Sequence, residues 1–167
     1  ETIHFATISQ REVSLIRDAV DQIDADGFDK TKERLVKYEV IADNIEKEIA
    51  VFLTSLMENE TSQRTQALAK TLFRIISELE SLGDSGECIS RLLNRLKGKG
   101  TLSIERKQGI YLMLEELQKA YDTVISYLKN ADNPHTADYA GQALNNEINI
   151  NSLRNRLRDE EYSRIES

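Results

Sequence analysis

Tryptophan is absent from the 167 residues, proline and cysteine occur once each, and histidine occurs twice. With only six Tyr and four Phe, any core must be mainly aliphatic. The lone Cys88 excludes an internal disulfide framework and suits a reducing compartment. No apolar run approaches the ~20 residues that a spanning helix needs, and no charged segment followed by an apolar stretch marks a signal peptide. Basic residues are outnumbered 22 to 29, giving a net charge of −7. Phosphate backbones and anionic lipid recruit basic surfaces, so this balance argues against nucleic-acid binding and against docking on acidic membranes. A Gly-rich phosphate loop, a Ser/His/Asp set and a CxxC pair are all missing, which leaves nucleophilic catalysis without a candidate. The chain begins at Glu1 and not at Met, which reads as a domain excised from a longer protein.

What is present is helix-forming. Leu, Ile, Glu, Arg and Lys dominate, and the 40% hydrophobic content is too high for a disordered chain. Ser9 is a plausible N-cap for a first helix with Val13, Ile16, Val20 and Ile23 at helical spacing, ended by a turn over 24–29. A second helix is expected over about 30–59, with Tyr38, Ile41, Ala42, Ile45, Ile49, Phe52, Leu53 and Leu56 as its apolar stripe. A third should open at Thr61 or Ser62 and bury Leu68, Leu72, Ile75, Ile76, Leu79, Leu82, Ile89 and Leu93 before Gly98 and Gly100 stop it. Ser103 should cap a fourth helix with Ile110, Leu114, Leu117, Tyr121, Val124, Ile125 and Leu128 inside. Pro134, within 132–135, then breaks the chain before a thinner fifth helix (Ala140, Leu144, Ile148, Leu153, Leu157) from about Thr136. Five long helices with short connections predict an all-α antiparallel bundle in a single domain, 1–167.

Two acidic triads stand out. Glu39, Asp43 and Glu46 form ExxxDxxE, and Glu80, Asp84 and Glu87 repeat the spacing 41 residues later. Positions i, i+4 and i+7 share one helix face. Such a row is ordinarily a solvated face. Here the spacing recurs on neighbouring helices at a similar angle, roughly 80–140° from each apolar stripe, so the rows are expected to flank the core. Brought together, six carboxylates suit a hard divalent or trivalent cation. Gly83 and Gly86 interrupt the second row, each about 1 kcal/mol worse than Ala in a helix, and let a neighbour approach closely. Cys88 is expected to be a small core residue, and Arg91, Arg95, Lys97 and Lys99 to serve as helix-terminal charges in preference to a phosphate site. His4 and His135 fall in a lead and a turn, so the histidine-bearing motif of bundle di-iron enzymes is missing.

The segment Glu80-Ser-Leu-Gly-Asp84-Ser-Gly-Glu-Cys-Ile89 resembles the Glu-Arg-(Ile/Leu)-Gly-Asp-x-Ala-x-Asn-Ile signature of PhoU-type proteins. Ser81, Gly86 and Cys88 depart from its usual Arg, Ala and Asn. Glu39-Val-Ile-Ala-Asp43 is similar to the ExxxD helix that precedes the signature in the family's three-helix repeat. The resemblance is closest over 30–97, extends over the first helix, and thins beyond Ser103. It implies a full first repeat (1–100) and a partial second one (101–167). It also implies a metal held by Glu39, Asp43, Glu80 and Asp84, iron first, with zinc, manganese or magnesium as alternatives. Glu46 and Glu87 join that set by spacing alone. Glu147 and Asn151 (ExxxN) would be the remnant of a second-repeat site. The family's role implies a non-catalytic regulator of phosphate transport at the cytoplasmic side of the inner membrane. In the closest form of this resemblance, the chain is the tail of a sodium/phosphate cotransporter-related protein. Its partners would be the membrane transporter domain, inorganic phosphate and a second copy of the chain. A stand-alone PhoU-type regulator, a metal-free helical adaptor and a di-iron oxidase are the alternatives.

Overall fold

The computed structural model describes residues 1–58, 62–100, 102–130 and 138–166. It is all-α, with five long helices and no strand among the described residues: α1 (Thr2–Asp21), α2 (Phe28–Glu58), α3 (Gln63–Leu96), α4 (Ile104–Lys129) and α5 (Tyr139–Glu166). None is long and apolar enough to cross a membrane. The expected breaker at Pro134, the start near Thr136, and Asn59, Thr61 and His135 lie outside the described residues. Ser62 caps α3 by accepting from Thr65 N at 3.1 Å, and Ser103 caps α4 by accepting from Arg106 N at 3.3 Å. Gly98 and Gly100 adopt φ of 72° and 60°, the left-handed stop that side chains resist.

The helices fall into two compact units, Glu1–Gly98 and Lys99–Ser167. In the first, α1, α2 and α3 pack against one another pairwise. Lys97 pairs with Asp29 at 2.8 Å and lies over the Phe28 ring, while Lys32 donates to Asn94, so α2 and α3 run antiparallel. Gly83 lies beside Glu12 and Gly86 beside Ile16, so α1 and α3 run parallel. Thr31 donates to Gln22 across the α1–α2 turn, and Gly98 N donates to Asp24, tying that turn to the end of α3. The second unit is a helical hairpin. Arg106 grips Glu161, Gly109 abuts Leu157, Asn146 donates to Thr123, and Tyr127 meets Tyr139 edge to face. No described residue of α5 is fully buried, in keeping with its thin apolar set.

Three local expectations are corrected. Helix α1 starts at Thr2, so Ser9 is no cap: it is buried in mid-helix, its hydroxyl donating to Phe5 O at 3.2 Å, and His4 lies within α1. On α2 and α3 the buried lines are turned by roughly 40–45° from the apolar stripes toward the acidic rows, at 100° per residue. Leu35, Ala42, Ile49 and Leu53 line α2, while Ala69, Ile76, Leu79, Gly83, Gly86, Ser90 and Leu93 line α3. Ile41, Phe52, Leu68, Leu82 and Ile89 are consequently exposed, and so is Cys88, on the far side from Gly86 and Ser90. Size contributes. Ala42, Ala69, Gly83, Gly86 and Ser90 share the inner line with Leu35, Ile49, Ile76 and Leu79, and the bare Gly83 and Gly86 admit Glu12 and Ile16 of α1.

Two phenylalanines test this rotation. Phe28 is fully buried and Phe52 is 64% exposed. Phe28→Ala is expected to lower the stability of the folded chain by about 3–5 kcal/mol in urea denaturation, as truncation of a buried aromatic does. Phe52→Ala should cost less than about 1 kcal/mol. The reverse order would restore the apolar stripe as the buried face.

Candidate cation site between three helices

The rotation of the buried lines carries the acids with it. Glu39 and Glu46 alternate along α2 with Leu35, Ala42 and Ile49, and they are half-buried, as is Asp43. On α3, Glu80 and Glu87 are half-buried and Asp84 is exposed. The antiparallel pairing then sets the two rows facing each other. The Glu39 carboxyl is held above its ordinary range first by desolvation, then by Asp43 on its own helix and by Asp84, Glu87 and Glu80 across the interface. Glu80 is raised likewise by desolvation, then by Asp84, Glu46 and Asp43, with its Ser81 hydrogen bond acting the other way. The six predicted site residues of the first unit are thus one electrostatic group.

Basic side chains reach only its margins. Lys47 pairs with Asp43 at 3.5 Å and Arg91 with Glu87 at 3.1 Å, the two cations being well exposed and the two acids partly so. Such pairs contribute about 0–1 kcal/mol. Among the described residues Glu39, Glu46, Glu80 and Asp84 form no ion pair. Arg91 and Lys97 are engaged by Glu87 and Asp29, as helix-end charges and not as a phosphate cradle.

A seventh carboxylate, not expected from the two acidic rows, joins them. Glu12 of α1 is only 5% exposed, and its Oε1 has no hydrogen-bond partner among the described residues. A Cβ built on Gly83 would lie 3.4 Å from Glu12 Oε2 and 3.7 Å from Glu39 Oε2. Carboxylates from α1 and α2 therefore meet over the same bare stretch of α3. Burial, then Glu39 and Asp43, push the Glu12 carboxyl up to about 7. A signal existed: Glu12 is a lone acid four residues from both Ile8 and Ile16, inside the apolar face of α1.

No three Asp, Glu, His or Cys side chains among the described residues stand close enough to hold one ion as placed. The acids form a facing set of like charges without the convergence of a closed coordination shell. The donor chemistry nonetheless fits a hard cation, since every member offers oxygen and one oxygen is buried without a partner. In the second unit Glu147 is exposed and Asn151 half-buried on α5, and it is Asn146 that reaches α4. An open groove along α2, lined by Asp29, Lys32, Glu33, Val36 and Lys37, is not part of the acidic set.

No family model, curated protein or solved structure matches this chain.

The Glu12 environment predicts a pH dependence with a definite sign. Its folded-state value is raised from 4.5 to about 7, so the folded form holds the proton more tightly than the unfolded form. Stability should therefore fall as pH rises from about 4.5 to about 7 and level off above, by an amount on the order of 2 kcal/mol after allowance for solvent screening. Urea titrations in chelator should show Glu12→Gln gaining on wild type over that window. A difference that stays constant from pH 4 to 8 would count against the burial of this carboxyl.

Proposed function

We propose that the three-helix unit Glu1–Gly98 is a non-catalytic cation-binding regulatory module of the PhoU type, acting on a membrane phosphate-transporter domain in the same chain or beside it. The observation that carries the cation reading is the pairing of acidic rows across the α2–α3 interface, with Glu39 sensing Asp84, Glu87 and Glu80, and Glu80 sensing Glu46 and Asp43. Glu39, Asp43, Glu80 and Asp84 would hold the ion, with Glu46 and Glu87 beside them. A bound divalent or trivalent cation, iron first, would supply positive charge to groups that otherwise repel. The phosphate link is supported by the likeness of 39–49 and 80–89 to the family's motifs.

The regulatory step follows from the same electrostatics. Carboxylates on α2 and α3 push the two helices apart at this level, while Leu35, Ala42, Ile49 and their neighbours hold them together. Neutralising the rows removes the push and fixes the angle between the helices. That angle can bias docking on a transporter only by as much as the cation's affinity differs between the docked and free states. A cluster of carboxylates without histidine or cysteine suits this binding role better than oxygen chemistry.

A second reading, a metal-free helical adaptor, draws on the Lys47–Asp43 and Arg91–Glu87 pairs and on the lack of a closed ligand group among the described residues. Thermal melts separate the two. The proposal expects stoichiometric iron, manganese or zinc in the purified protein. It also expects a higher melting temperature with metal, worth about 2.7 kcal/mol at a hundredfold excess over Kd. Glu80→Gln with Asp84→Asn should abolish both. Unchanged metal content in that double variant would refute the assignment, and identical melts with and without chelator would favour the adaptor.

A further inference from the structure

We infer that Glu12 of α1 is a third-helix ligand of the cation site, so that a hard divalent ion bound there would tie together all three helices of the first unit and not α2 and α3 alone. This rests on the cation reading above and adds a residue that neither acidic row contains.

Three observations converge on Glu12. Its side chain is buried to 95%, yet Oε1 has no donor among the described residues. Its other oxygen and Glu39 Oε2 approach the same bare face of α3, within 3.4 and 3.7 Å of the point where a Gly83 side chain would begin. The charges it senses, Glu39 and Asp43, are both of its own sign. A buried carboxylate kept for structure is normally met by an arginine, a lysine or a set of N–H donors. Glu12 is met by carboxylates. An oxygen-seeking cation drawn in between Glu12 and Glu39 would offset their charge and that of Asp43, and Gly83 leaves the space beside Glu12 and Glu39 free of a side chain.

Helix α1 also has the placement that such a tie requires. It packs on both α2 and α3, and Glu12 lies between the buried Ile8 and Ile16 that anchor it. An ion held by Glu12 would therefore secure α1 at its middle.

The test uses the full chain, stripped with chelator and titrated with Mn2+, comparing wild type, Glu12→Gln and the Glu80→Gln/Asp84→Asn pair. Free Mn2+ is followed by electron paramagnetic resonance, and the melting temperature is measured with and without the ion. The inference expects Glu12→Gln to weaken Mn2+ binding at least tenfold. It also expects that variant to melt higher than wild type in chelator, because an unpartnered charge has been removed. A merely structural acid would give the opposite sign in chelator and leave affinity alone. Hydrogen exchange of α1 amides around residues 9–16 should slow on Mn2+ addition in wild type and not in Glu12→Gln. If Glu12→Gln binds Mn2+ like wild type while the α3 pair loses it, the Glu12 assignment is overturned and the cation reading stands. If wild type binds no Mn2+, zinc or iron, the inference and the reading beneath it both fall.

Discussion

The first unit depends on a conflict between packing and charge. Apolar burial drives three helices together along a line of small residues, and the same line brings carboxylates from each helix toward one place. Repulsion between acids four apart on an isolated helix costs only about 0.2–0.5 kcal/mol per pair. Burying a carboxylate without a partner costs several kcal/mol, a large part of the 5–15 kcal/mol by which domains are stable. Glu12 and not the exposed Asp84 therefore sets the energetic scale of the site. Protonation relieves that cost in one way, and a cation relieves it in another.

Small residues decide where this conflict is located. Gly83 and Gly86 are poor helix formers, yet α3 carries both where it meets α1, with Glu12 against one and Ile16 against the other. Ala42, Ala69 and Ser90 continue the same close line. Bulk is displaced outward as a result, leaving Phe52, Leu68 and Leu82 on the surface. The close approach and the clustered charge are two consequences of one choice of side-chain size.

The second unit is built on different terms. Its hairpin is held by Leu114, Tyr121 and Ile125 of α4 against an α5 that buries nothing fully, reinforced by Arg106–Glu161 and the Tyr127–Tyr139 pair. Glu147 is exposed on α5, whereas Glu80 is half-buried and faces Glu46 and Asp43 across an interface. The chemistry that distinguishes this chain is concentrated in its first ninety-eight residues.

Much of this was legible in the residues themselves, because it depends on local rules. Helical spacing marked five helices, Thr61 or Ser62 and then Ser103 were legible as helix starts, and Gly98 and Gly100 as stops. The recurrence of ExxxDxxE singled out Glu39, Asp43, Glu46, Glu80, Asp84 and Glu87. Tertiary packing alone decided which side of each helix turned inward. Hydrophobicity pointed to Leu82, Ile89 and Phe52, whereas packing buried Ala69 and Ser90 in their place. A stripe read on one helix contains no information about the distance to the next. Glu12 shows the same limit most sharply. On its own helix it is one acid among apolar neighbours, and only the packing of α1 on both α2 and α3 buries it beside Glu39.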